Sequence, residues 1–159
     1  MSLPAIETLE IRKEYPMATS SHFENDESRD QFLATPRLAV LLTNRQEGTP
    51  MGVPIWFDWD GEVVRMFADA STPKVRRLRR DPKASVLVTN HLDEPERWVA
   101  FDGRVSISDT GGFELAERIA PRYWDLEDPA KRQMVEVWRS GRDGFCLLTL
   151  EPTKIRTGG

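Results

Sequence analysis

The sequence predicts an α+β domain that is mainly β: a small barrel-like sheet of five to seven strands, mostly hairpin-connected, with a few short helices. Three observations predict it. Short apolar runs recur between turn signals along most of the chain, the strongest turn being Asp60-Gly61. A well-marked helix, Pro73–Arg80, stands between two of those runs. At 159 residues and 39 % hydrophobic content, the chain is long enough for one well-cored domain and short for two.

The elements follow in order. Residues 1–25 are mixed and polar, with Pro4 and Pro16, and read as an N-terminal arm. Residues 26–157 form the single domain. Asp26 or Ser28 suits the cap of a short helix that carries Phe32 and Leu33 and ends before Pro36. Arg37–Asn44 is a compact apolar strand, and Gln46-Glu47-Gly48 turns the chain into a second run, Met51–Trp59. Asp60-Gly61 then makes the hairpin into Glu62–Ala68. In the helix Pro73–Arg80, Val75 and Leu78 share a packing face, and Asp81-Pro82 ends it because the residue before a proline disfavours helical geometry. Ser85–Thr89 and Trp98–Ser108 are further strands, the second with a bulge or bend at Asp102-Gly103. Phe113–Ala120 is helical, and Asp128-Pro129 opens a helix to about Arg139 with Met134, Val137 and Trp138 on one side. Gly144–Leu150 is the last strand.

Composition excludes several functions. No apolar run approaches the ~20 residues of a membrane span, and the start, MSLPAIETLEIRKEYP, lacks the continuous apolar block of a signal peptide. The single cysteine, Cys146, rules out an internal disulfide and fits a reducing compartment, so a cytoplasmic location is expected. A net charge of −4 argues against general nucleic-acid binding, although five of the 22 basic residues fall between Lys74 and Arg80. Such a local cluster suits a small anionic ligand or a solvated helix face. The soft metal ligands are His22, His91 and Cys146, without the spacing of a metal site. Neither a G-x-G-x-x-G turn nor a P-loop is present. Cys146, inside Phe145-Cys146-Leu147-Leu148, reads as a small core residue, and no catalytic acid or nucleophile stands out.

Chemistry points instead to the start of the basic helix. Ser71 and Thr72 are N-cap types, Pro73 suits the first helical position, and Lys74 stands in the first turn, where the helix dipole favours anions. Hydroxyls, open backbone N–H groups and an ammonium together make a phosphate seat, although an ordinary capped helix with a basic face has the same sequence. Trp56 and Trp59 lie in the run entering the Asp60-Gly61 hairpin, Phe67 near the end of its partner, and Trp98 at the start of a later strand. Each tryptophan taken singly is a core or interface residue, but an aromatic strand pair leading into a phosphate seat offers a planar ligand a wall and an anchor. A flavin mononucleotide has that shape.

The order of these motifs resembles the pyridoxamine 5′-phosphate oxidase-like, flavin-binding split β-barrel superfamily. The similarity runs over roughly residues 30–155 and is strongest across Lys74–Val88, with Leu78-Arg79-Arg80-Asp81-Pro82-Lys83-Ala84-Ser85, and is also seen in Phe101-Asp102-Gly103-Arg104-Val105. That run and the ending Leu147-Leu148-Thr149-Leu150 look most like the branch that uses the deazaflavin coenzyme F420. The resemblance implies a six-stranded antiparallel split β-barrel and a homodimer with cofactor, FMN or coenzyme F420, in clefts at the subunit interface. By position it places Val53, Pro54, Ile55 and Trp56 along the ring, and Phe67 and Ala68 along the ribityl chain. Ser71, Thr72 and Lys74 fall at the phosphate, and Trp98 against the ring.

Three departures count against true pyridoxamine phosphate oxidation. Pro73 stands where those oxidases have an arginine, and Phe57 where they have a basic residue. Their C-terminal Arg-x-His motif is missing from Lys154-Ile155-Arg156-Thr157-Gly158-Gly159. The expected function is a flavin-type oxidoreductase that passes hydride between bound FMN or F420 and a small organic substrate. Its rivals are a non-catalytic flavin- or haem-sequestering module on the same barrel and, third, nucleic-acid binding through Arg76–Arg80. Neither a membrane nor a nucleic acid is an expected partner.

Overall fold

A computed structural model describes residues 23–159, so most of the expected arm, with His22, lies outside the described residues. The first helix, α1 (Asp26–Ala34), is capped by Asn25 rather than by Asp26 or Ser28. Asn25 Oδ1 accepts from Ser28 N–H at 2.8 Å, and Ser28 Oγ accepts from Asn25 N–H at 3.3 Å. This reciprocal pairing satisfies two end donors and sets the cap one residue before Asp26 and three before Ser28, the two expected positions.

Seven strands form one antiparallel sheet: β1 (Ala39–Asn44), β2 (Pro50–Ile55), β3 (Phe57–Trp59), β4 (Val64–Asp69), β5 (Lys83–Thr89), β6 (Trp98–Ser108) and β7 (Phe145–Gly158). Their order is β2-β1-β5-β6-β7-β4-β3. The edge strands β2 and β3 are adjacent in sequence and separated by Trp56 alone, so the sheet has to curl until its two edges meet. The expected run Met51–Trp59 is therefore two strands rather than one, which makes seven where the resemblance implies six. Ile55 pairs with Ala39 on one edge and Phe57 with Met66 on the other, so the chain changes partner at Trp56.

The last strand also runs on past Leu150 to Gly158, because β6 offers it a ladder of eleven residues. That ladder slips register between Asp102 and Gly103, where the bulge was expected. A Cβ at Gly103 would stand 2.1 Å from the Glu151 carbonyl oxygen, so glycine is required by the close approach of β7. At the hairpin before β4, the Asp60 carboxylate accepts from the N–H groups of Glu62 and Val63, both at 2.9 Å.

Inward residues of every layer build the core: Leu41, Phe57, Val64, Met66, Val86, Phe101, Leu148 and Leu150 are almost fully buried. Val75 and Leu78 of α2 (Pro73–Arg80) close one end of it, as their spacing predicts. Two further helices, α3 (Gly112–Tyr123) and α4 (Pro129–Ser140), form a hairpin between β6 and β7. α3 packs on β4 and β7. α4 contributes only Val135 to the buried set, while Met134 and Val137, on the side expected to pack, are exposed. Among the described residues no helix is long and apolar enough to cross a membrane.

Candidate cofactor cleft

A cleft of about 680 Å³ lies between the end of β2, the end of β4, the start of α2 and the α3–α4 hairpin. Each wall follows from local sequence. In β4 the alternation buries Val64, Met66 and Ala68 in the barrel and turns Phe67 and Asp69 the other way. Phe67 pairs with Leu147, which brings it beside Phe145 at the start of β7, with ring centroids 6.0 Å apart. Trp56, freed from the ladder at the β2–β3 break, stacks on Tyr123 of α3 at 4.5 Å and 5°. Tyr123 is held by the seam itself. Its hydroxyl accepts from Phe57 N–H at 3.1 Å and has the carbonyls of Arg37 (3.0 Å) and Phe57 (3.2 Å) for its own proton. Burial raises the Tyr123 hydroxyl pKa above the ordinary tyrosine value, so it stays protonated. Trp124 and Trp138 complete the wall, with centroids 4.7 and 5.8 Å from Trp56.

The opposite end is polar. Asp69 accepts from both the N–H (2.7 Å) and the hydroxyl (2.6 Å) of Ser71, and these bonds lower its pKa. Thr72 Oγ1 donates to the Asp69 carbonyl at 2.7 Å, so Thr72 takes the N-cap position of α2 without capping through its side chain. Both hydroxyls are drawn to Asp69 instead of the helix end, because a turn of Asp-x-Ser-Thr type offers them nearer acceptors. The first helical bond runs from Arg76 N–H to Thr72 O at 3.2 Å, and with Pro73 lacking a donor the N–H groups of Lys74 and Val75 stand in the open first turn. Lys74 is half-buried, and burial lowers its pKa below the ordinary lysine value. No carboxylate among the described residues forms an ion pair with it. A half-buried ammonium beside open helix N–H groups is the donor set that an anion requires, with the Asp69 carboxylate, whose charge acts on Lys74, at the same end.

The rest of the basic cluster is otherwise engaged. Arg77 Nε donates to Thr43 Oγ1 at 2.7 Å, Arg80 to the Asn44 carbonyl at 2.6 Å, and Arg79 pairs with Asp109 at 3.6 Å. The Arg77 and Arg80 contacts pin α2 to β1, the Arg79 pair ties it to the end of β6, and Lys74 is left as the cation lining the cleft.

Of the expected ligand residues, Pro54, Ile55, Trp56, Phe67, Ala68, Thr72 and Lys74 line this cleft together. Ser71 lies beside it, bonded to Asp69, and Val53 packs toward the core. Trp98 is elsewhere. It rests against Gly158 and lines a separate hollow of about 390 Å³ on the outer sheet face with Leu42, Leu87, Ala100 and Arg156. Tyr123, Trp124, Trp138 and Phe145 were not singled out as ligand residues. The signal for Trp138 was present in the apolar side Met134-Val137-Trp138 of α4, which reads equally as a packing face. Cys146 is buried with Sγ 3.4 Å from the Ala68 carbonyl, and burial raises its pKa, as suits a core thiol. Among the described residues no cluster of His, Cys, Asp or Glu is arranged to hold a metal ion.

Residues 26–156 match the family model for pyridoxamine 5′-phosphate oxidase. Among solved structures, the chain is similar to an F420 reductase at 28% identity, with 80% of this chain and 94% of that chain covered and a TM-score of 0.62. A conserved hypothetical protein from Mycobacterium tuberculosis is 22% identical over 87% of each chain, with a TM-score of 0.62. An FAD-binding protein from Mesorhizobium loti is 16% identical over 84% of this chain and 91% of that chain, with a TM-score of 0.56. The last two are likenesses of fold alone. No curated protein matches the chain.

Proposed function

The chain belongs to the pyridoxamine 5′-phosphate oxidase family, and from that premise we propose that it is a flavin-type oxidoreductase acting on a small organic substrate with FMN or coenzyme F420. The observation that carries this reading is the polarity of the cleft: an unpaired Lys74 and an open helix start at one end, an aromatic wall at the other. A phosphate-bearing flavin has the matching two ends, so the donor set fits the cofactor. Lys74 and the first-turn N–H groups of α2 would hold its phosphate, Phe67 and Ala68 would flank the ribityl chain, and Pro54, Ile55 and Trp56 would position the ring. Val53 and Ser71 act through their backbone and through Asp69.

When bound, the cofactor supplies the hydride chemistry, and the protein supplies orientation and a dry surface. Asp69 and Lys74 are the charged residues lining the cleft, and both stand at the α2 end. The chain's own part is therefore to seat both partners and keep water from the aromatic end. Phe57 is fully buried in the core, so the position that is basic in pyridoxamine phosphate oxidases offers a ligand nothing here. With Pro73 beside Lys74 the anion seat also has one cation fewer. We accordingly assign the chain to a different substrate from pyridoxamine phosphate.

A second copy of the chain completes this proposal. The outer face of β1, β5 and β6 carries Leu42, Leu87 and Trp98 half-buried around an apolar hollow. A partner seated there would cover this hollow, and a ring contact by Trp98, which the resemblance assigns, would then be made across the interface rather than within one copy.

The test is turnover. The cofactor-loaded protein should be reduced by a chemical donor and then reoxidised by an added organic acceptor at a rate above free cofactor. A protein that binds the cofactor and never exchanges hydride would be the sequestering module instead.

A further inference from the structure

Six rings, Trp56, Phe67, Tyr123, Trp124, Trp138 and Phe145, touch one another in a chain of stacked and edge-to-face contacts with centroids 4.5–6.0 Å apart. None belongs to the barrel core. Aromatic side chains of this size bury large areas when a core uses them, so a half-buried cluster kept outside the core is an exposed apolar surface with a use. The α4 helix makes the same point. It adds Val135 to the buried residues, while Met134 and Val137 are 44% and 58% exposed beside Trp138.

We infer that the end of the cleft formed by Trp124 and Trp138 is the substrate seat, and that it takes an uncharged, flat aromatic molecule carrying a hydrogen-bond acceptor. The inference rests on the proposed cofactor site, since it assigns what that site leaves over. Three observations support it. The lining charges, Asp69 and Lys74, are both at the α2 end, and Asp69 is committed to Ser71. A charged substrate at the tryptophan end would lose water and find no charged partner among the lining residues, since Lys131, outside that lining, is held over the Trp124 ring. Among the described residues neither Trp124 nor Trp138 has a hydrogen-bond partner for its indole N–H, in contrast to Trp59, whose N–H donates to Asp30 at 2.9 Å. A carbonyl or nitro oxygen would accept from such a donor. The wall itself is braced: Lys131 Nζ stands 5.0 Å from the Trp124 ring, and Arg139 and Arg142 tie α4 and the turn after it to Glu117 and Glu114 of α3.

Three probes of similar size separate the properties: 2-acetylnaphthalene (flat, neutral, acceptor), 2-naphthoate (same rings, charged) and cyclohexyl methyl ketone (same acceptor, not flat). Each is titrated by calorimetry into the protein with and without bound cofactor. The inference expects acetylnaphthalene to bind at least about tenfold tighter than either of the others, equivalent to about 1.4 kcal/mol. Trp138→Leu and Trp124→Leu should each weaken acetylnaphthalene by about tenfold, while Trp138→Phe keeps most of the affinity. Unfolding temperature and cofactor affinity check that the variants remain folded.

Equal binding of the three probes by the wild-type protein would overturn the inference without any variant. So would tighter binding of naphthoate, which would make the seat an anion site governed by Lys131. Should neither flavin bind, the proposed function fails, while the probe series on the cofactor-free protein still decides the aromatic seat.

Discussion

Trp56 and Tyr123 lie face to face, 4.5 Å apart and within 5° of parallel, and the hydroxyl of the same tyrosine bonds to the backbone where the barrel's two edges meet. One side chain thus couples the seam of the sheet, helix α3 and the aromatic wall of the cleft. Tyr123→Phe keeps the stacked ring and removes the hydroxyl, leaving Phe57 N–H without its acceptor. The expected loss of stability is about 1–3 kcal/mol, read by urea unfolding. A change within error would show that water takes the hydroxyl's place.

Acid should weaken the fold through carboxylates held in their charged form. Arg37, 5% exposed, pairs with Glu94 at 2.5 and 2.9 Å, and that bond, with the His91 N–H, lowers the Glu94 pKa from 4.5 to about 2. Asp102 is likewise lowered from 3.8 to about 2, first by Arg156 and then by Ser85. A depressed folded-state pKa contributes stability that is present above the unfolded value and is lost as pH falls through the folded one. Stability at fixed temperature should therefore be level at neutral pH and decline between about pH 4.5 and about pH 2. Glu94→Gln should lower stability at pH 7 by about 2 kcal/mol, the scale of a charge-assisted hydrogen bond, and flatten that decline. An unchanged acid slope in the variant would remove Glu94 from the account.

Gly103→Ala tests the bulge in the β6–β7 ladder. Its new Cβ would meet backbone, the Glu151 carbonyl, at 2.1 Å, so one strand has to shift. The expected cost is about 1–3 kcal/mol, visible as a fall in melting temperature of several degrees. An unaltered melting temperature would mean that the bulge relaxes freely.

The fold was largely legible in the sequence because its signals are local. Asp60-Gly61 fixed the hairpin, Val75 and Leu78 with Pro73 fixed α2 to the residue, and Trp98–Ser108 with its irregularity at Asp102-Gly103 was readable from alternation. The break at Trp56 was not, since Met51–Trp59 reads as one run and only the change of pairing partner, from β1 to β4, divides it. The polar end of the cleft was readable for the same local reason, as Thr72 and Lys74 sit in one turn. The aromatic wall was half hidden. Trp56, at the break between β2 and β3, and Phe67, on β4, belong to runs that point to the site, but Trp124 and Trp138 arrive on a helical hairpin more than fifty residues later in the chain. The helical spacing of Trp138 with Met134 and Val137 is what any packing face would show. What distinguishes them is that the face stays uncovered, a property of tertiary structure.

The proposed dimer is tested at Trp98. Trp98→Glu places a carboxylate on the apolar outer face beside Leu87 and Leu42. Sedimentation velocity should find the wild-type protein as a dimer and the variant shifted to monomer, with weaker cofactor binding if the partner closes the cleft. A monomeric wild-type protein, or a variant that dimerises as well, would contradict the proposed arrangement.

Whether the cleft between Lys74 and the aromatic wall holds a flavin-type cofactor is decided by a paired titration of ligand-stripped protein with FMN and with coenzyme F420, for wild type and Lys74→Ala. One of the two should bind with a Kd of about 1 μM or below, at least about 8 kcal/mol, and Lys74→Ala should weaken it by about tenfold or more, as the loss of a hydrogen bond to a charged group would. Binding of neither cofactor, or equal binding by wild type and Lys74→Ala, would contradict the proposed site.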